Sequence, residues 1–162
     1  MATGASDVHP SVTPGDRPAP ARPAPVPSAA LDLLTQARTG LAEAARLQAP
    51  HERYATAHLA ALRTAAAVLA VRCRPQSAKG RRRIRSAWAL LPEVAPELAE
   101  WSALFASGAQ RRARAEAGIR SAASPREADD LLRDAEAFWR LVERTLVARP
   151  RLPEPHPREA AG

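Results

Sequence analysis

Cysteine is almost absent from this chain. Cys73 is its only one, so no intramolecular disulfide can form, and we expect a reducing, cytoplasmic setting with Cys73 as a small apolar residue near a helix end. Aromatic residues make up 4% of the sequence while alanine is abundant. The interior must therefore be filled by closely packed small side chains, and a roomy ligand cavity is not expected. Long apolar runs are missing too. The longest, Ala65 to Val71, is about a third of the ~20 residues that a membrane-spanning helix needs. Residues 1–27 have neither the basic start nor the apolar stretch of a secretory leader, so we expect no membrane association. Strand-like alternation, internal repeats, a glycine-rich phosphate loop, a nucleophile elbow and a Ser-His-Asp set are all absent from the sequence.

Proline, by contrast, is plentiful and unevenly placed. Seven of the 16 prolines fall in residues 1–27 and four more in 149–162. Both ends are too poor in apolar residues to offset the entropy of ordering, and are expected to be disordered tails around one helical domain at 28–148. The five prolines of that domain, Pro50, Pro75, Pro92, Pro96 and Pro125, sit where helices should start or stop. They bracket a first helix from Ser28, read as its N-cap, to about Leu47, and a second from about His51 to Cys73. A short helix over Ser86–Leu91 carries Trp88, and a third long helix runs from about Pro96 to Ala117. The last runs from a Ser124–Glu127 capping box to about Ala148. The first has Leu31, Leu34, Arg38, Leu41 and Ala45 at helical spacing, and the second Tyr54, Ala61, Leu62, Ala65, Val68 and Leu69. The third contributes Leu98, Trp101, Leu104 and Phe105, and the last Leu131, Ala135, Phe138, Val142 and Leu146. Asp129 with Arg133 and Glu136 with Arg140 are spaced as i,i+4 ion pairs. The expectation is an all-α bundle of four main helices plus one short one.

The formal charge of +7 is local. Arg72 to Arg85 holds seven basic residues, Arg72, Arg74, Lys79, Arg81, Arg82, Arg83 and Arg85, and no acid, whereas the rest of the domain has 12 basic residues against 13 acidic ones. Such a segment attracts phosphate with strong salt dependence and little sequence preference. Arg74, Lys79, Arg81, Arg82, Arg83 and Arg85 are therefore the candidate contacts to RNA or a nucleotide, with Arg111, Arg112 and Arg114 extending the patch. No aromatic residue is interleaved with the segment, which argues against stacking on single-stranded bases. Arginine outnumbers lysine 23 to 1, as GC-rich coding sequence would produce, and the competing reading is a solvated linker.

The segments ALDLLTQARTGLAEAARL, RYATAHLAALRTAAAVLA, SAWALLPEVAPELAEWSALFASG and READDLLRDAEAFWRLVE together span roughly residues 31–147 and resemble a family of small actinobacterial proteins of the HEPN superfamily. The resemblance implies a bundle of four to five helices, commonly a homodimer through a helical face, as found in RNA-cleaving toxins, their inactive relatives and nucleotidyltransferase partners. In the active members an Arg-x4-6-His motif lines a cleft at the dimer interface and assists metal-independent RNA cleavage. Carried over to this chain, the motif falls on Arg53 and His58.

Histidine can move a proton near neutral pH, and arginine can stabilise charge developing on a phosphate. The motif is nonetheless weakly specific here, since His51 has Arg46, and His156 has Arg151, at the same spacing. On a helix Arg53 and His58 project about 140° apart, and His58 shares the arc of Tyr54, Leu62 and Ala65, pointing inward or toward a partner. Active members usually carry the motif nearer the final helix. His51 and His58, two turns and about 10 Å apart, cannot share one zinc, and Asp129 and Asp130 read as first-turn charges that complement the helix dipole. No metal and no cofactor are expected. The function expected is thus a non-catalytic HEPN-like binding or interaction module, a homodimer that contacts RNA or a nucleotide through its basic segment. The alternatives are a ribonuclease using Arg53 and His58, and a pure interaction module with a protein partner.

Overall fold

Residues 24–73 and 86–147 are described in the computed structural model, and among them alanine decides which face of a helix turns inward. Helix α1 (Ser28–Ala44) buries Ala30, Leu34, Ala37, Leu41 and Ala44, a stripe displaced by one position from Leu31, Arg38 and Ala45. Small side chains win because they let two backbones approach. A Cβ placed on Gly40 of α1 would lie 3.5 Å from the Ala60 Cβ on the next helix, and close contact along the whole stripe gathers more dispersion energy than one leucine does. Leu31 is left 41% exposed. Pro27 occupies the cap position and Ser28 makes no capping hydrogen bond, a correction to its expected role.

Helix α2 (Pro50–Arg72) is the central rod. Ten of its residues are buried, from His51 to Val68, because α1 packs along one side and α6 (Pro125–Val147) along another, while α1 and α6 meet each other over a smaller area. Proline at its first position costs no hydrogen bond. By length and composition α2 could cross a membrane, but half of its most apolar window is buried inside the bundle. Helix α6 opens on the expected capping box, with Glu127 N–H donating to Ser124 Oγ and Ser124 N–H to Glu127 Oε2. It runs in the same direction as α2: Arg53 near the start of α2 pairs with Asp129 near the start of α6, and Val68 shares a cavity wall with Val142 near the far ends.

The crossing between α2 and α6 is made by α3 (Ala87–Val94), a 3-10 turn at Pro96–Leu98, α4 (Ala99–Ser107), α5 (Ala109–Glu116) and a second 3-10 turn at Arg120–Ala122. Pro92 lies inside α3 rather than ending it. The helix expected over 96–117 is present but divided at Gly108. Gly118, with φ of 78°, closes α5, its neighbour Ile119 donating back to the Arg114 carbonyl. The described residues thus form an all-helical bundle without strands. Of the tails placed at 1–27 and 149–162, only 24–27 lie within the described residues, where Val26 packs against the core.

Candidate functional site

Helix α2 sends Arg53 and His58 to different neighbours. Arg53 is 17% exposed, and its Nε donates to the Leu47 carbonyl at 3.0 Å while its Nη1 pairs with the Asp129 carboxylate. One guanidinium therefore ties the α1–α2 turn to α6 near its start. Asp129 is not available to Arg133, which pairs with Asp130 instead, whereas Arg140 does meet Glu136 as the spacing suggested.

His58 faces inward and has no exposed surface. Its Nε2 lies 2.9 Å from the Phe105 carbonyl. A carbonyl can only accept, so Nε2 carries the proton and is a second donor to a carbonyl that also accepts from Gly108 N–H at 3.1 Å. Tyr54, Trp88 and Phe105 surround the ring at centroid distances of 6.4, 5.9 and 6.1 Å, and Trp101 and Phe138 extend the cluster. Five of the six aromatic residues of the chain so converge around one histidine. Its Nδ1 is buried with no hydrogen-bond partner. Burial drives the His58 pKa below the ordinary value, only partly opposed by the bond to the Phe105 carbonyl. At neutral pH the imidazole is uncharged and out of contact with solvent.

The division of the expected third helix has its cause here. A Cβ on Gly108 would meet Tyr54 Oη at 2.6 Å, so the α4–α5 junction approaches α2 more closely than any side chain allows. Arg111 caps the same ring, its guanidinium carbon 5.8 Å from the Tyr54 centroid, and pairs with Glu127 at 3.1 Å; Arg112 pairs with Glu116 at 2.8 Å. Of the three arginines expected to extend a basic patch, only Arg114 has no carboxylate partner among the described residues. Gly108 and the Asp129 partnership of Arg53 are invisible in the sequence, because both depend on which helix crosses which.

At the other end of α2, Arg72 pairs with Glu97 and reaches the Val94 carbonyl at 3.4 Å. The two charged side chains border an apolar cavity of ≈ 170 Å³ walled by Val68, Leu98, Val142 and Leu146. Cys73 stands at the C-cap of α2, at a helix end as expected, and is exposed. Arg74, Lys79, Arg81, Arg82, Arg83 and Arg85 lie outside the described residues. Among the described residues no three His, Cys, Asp or Glu side chains are grouped as metal ligands would be.

No curated protein and no solved structure matches this chain. A model of the SAV_6107-like HEPN family matches residues 44–143, a stretch that runs from the end of α1 through most of α6 and takes in Arg53, the His58 cluster and the Gly108 junction. This chain belongs to the SAV_6107-like HEPN family.

Proposed function

We propose that this chain is a non-catalytic HEPN module that works by binding, as a homodimer in the cytoplasm, with RNA or a nucleotide as its ligand and Arg74, Lys79, Arg81, Arg82, Arg83 and Arg85 as the phosphate contacts. The burial of His58 carries the reading. A general base has to reach the proton it moves, and here the imidazole has no exposed surface while its protonated nitrogen is engaged by Phe105. Arg53, the other half of the motif, is held by Leu47 and Asp129 and presents no open anion site. The ligand class rests on the sequence alone, on six basic residues without an acid between Cys73 and Ser86.

The test is to purify the full chain at moderate salt, read its absorbance ratio and scattering mass, and incubate it with a mixed-sequence single-stranded RNA in the presence of a chelator. The expected result is bound, intact RNA, with binding reduced by the triple change Arg81→Ala, Arg82→Ala and Arg83→Ala while the helical circular dichroism stays unchanged. RNA cleavage that disappears in a folded His58→Gln variant would overturn the proposal in favour of a ribonuclease. A tightly co-purifying protein together with no RNA affinity would make the chain a pure protein-interaction module.

A further inference from the structure

Helices α1 and α6 both pack mainly on α2 and touch each other over a smaller area that includes the Trp139–Leu34 hydrogen bond, leaving a groove of ≈ 340 Å³ between them. Leu34 is buried at its floor, and Leu31 and Val147, 41% and 47% exposed, flank it; they are two of the four large apolar residues most open to solvent among the described residues. Thr35 and Thr39 also line the groove, yet their hydroxyls donate to the carbonyls of Leu31 and Thr35 at 3.0 and 3.1 Å. Their donors are engaged within α1 while the hydroxyl oxygens can still accept, so the groove lining is mixed, polar and apolar in similar measure. Trp139 is anchored in the same way, its Nε1–H donating to the Leu34 carbonyl at 2.9 Å, so the indole is a fixed wall rather than a loose flap. One basic and one acidic side chain stand on opposite sides, Arg38 from α1 and Glu143 from α6, and neither has an ion-pair partner among the described residues.

We propose that the α1–α6 groove is the surface on which a second copy of this chain docks. An interface between identical copies uses one patch twice, and so has to be complementary to itself. This one is: a two-fold axis running along the groove carries Arg38 of each copy to the side that holds Glu143 of the other, while Leu31, Trp139 and Val147 of the two copies cover each other's apolar surface. A foreign helix would need to bring its own matched acid and base, whereas the second copy has both by construction. The inference rests on the homodimer named under the proposed function, and adds to it the face and the residues that make the contact.

Four forms of the full chain decide it: wild type, R38E, E143R and the double variant R38E/E143R, each followed by light scattering across a dilution series from high micromolar to nanomolar. Circular dichroism checks the fold. A fifth, Leu31→Asp, places an acid in the first turn of α1, where the helix dipole favours it, so that it removes the apolar contact without weakening the helix. The expected result is a wild-type mass about twice the 17.3 kDa of one chain, dissociation about tenfold easier in each single charge variant, and recovery to near wild type in the double variant. Leu31→Asp should be monomeric. A wild-type monomer throughout the series would overturn both this face and the dimer. A dimer indifferent to Leu31→Asp and to the charge swaps would overturn the face alone, and in neither case is the RNA test above affected.

Discussion

At His58 the cost of burying a polar ring is offset on one nitrogen only. Nε2–H has the Phe105 carbonyl, and Nδ1 has aromatic rings about it and no donor. A proton added to Nδ1 would be a buried charge without an acceptor, with Arg112 repelling it and the Glu116 carboxylate giving partial relief. The folded chain therefore takes up this proton less readily than the unfolded one. Stability from this source is complete above the ordinary histidine pKa of about 6.5 and is lost as pH falls from there through the lowered folded value. We expect the urea midpoint of the wild type to drop more steeply between pH 7 and 5 than that of His58→Gln, which keeps a donor for Phe105 and cannot be protonated; parallel slopes would refute this. Glu97 and Glu127, whose pKa values are lowered by hydrogen bonds, act only at lower pH. Gly108 allows a second test at this scale. Its φ is −86°, so alanine there brings no backbone strain, and the whole penalty is the clash with Tyr54 Oη. Gly108→Ala should cost roughly 1–3 kcal/mol, and Tyr54→Phe in the same chain should recover much of it, because it removes the clashing atom. Thermal unfolding of the two single variants and the double one measures the coupling.

Between elements the ion pairs are unequal. Arg53 serves two partners from a half-buried position, and removing it leaves the Leu47 carbonyl without its side-chain donor, whereas Asp129 is a half-exposed carboxylate whose loss water can compensate. Arg53→Ala should therefore destabilise the fold by about 1–2 kcal/mol and Asp129→Ala by about 0.5 kcal/mol or less; equal effects in chemical denaturation would contradict this account. The capping box at α6 is closed in both directions, and Ser124→Ala should cost about 1 kcal/mol. How far these elements could be read from the sequence follows from the physics of each. Pro50, Pro125 and the Ser124–Glu127 box are local signals and marked the helix starts closely, whereas Pro92 lies inside α3. The inward face of α6 was equally legible, because its large residues Leu131, Phe138 and Val142 coincide with the buried stripe. In α1 they coincide only in part: Leu34 and Leu41 are buried but alanines fill the rest of the stripe, and Leu31, one position too far, is exposed. Gly108 reads as an ordinary helical position until the crossing of α4 and α5 over Tyr54 is known.

Across the whole molecule, charge is sorted by position. The end where α2 and α6 begin is closed by two cross-element pairs, Arg53 with Asp129 and Arg111 with Glu127. The segment rich in basic residues follows α2 in sequence, beyond Arg72, which is itself held by Glu97. The Arg-x4-His spacing was legible in the sequence, but the roles of its two residues were not, since the positions between them say nothing about Asp129 or Phe105, many residues away. The basic segment was legible as charge alone, and its consequence is a salt law rather than a set of defined hydrogen bonds. If it holds RNA phosphates, every cation withdrawn from a phosphate lowers the slope of log K against log salt by about 0.7 for a single strand. Replacing Arg81, Arg82 and Arg83 together by alanine should then reduce that slope by about 2, read by fluorescence anisotropy of a labelled single-stranded RNA between about 50 and 200 mM salt. The Asp129→Ala variant, which removes no basic residue, should keep the wild-type slope. A triple variant with an unchanged slope would place the phosphate-binding cations elsewhere on the molecule, because counterion release depends on how many cations meet phosphate and not on how tightly the rest of the domain is folded.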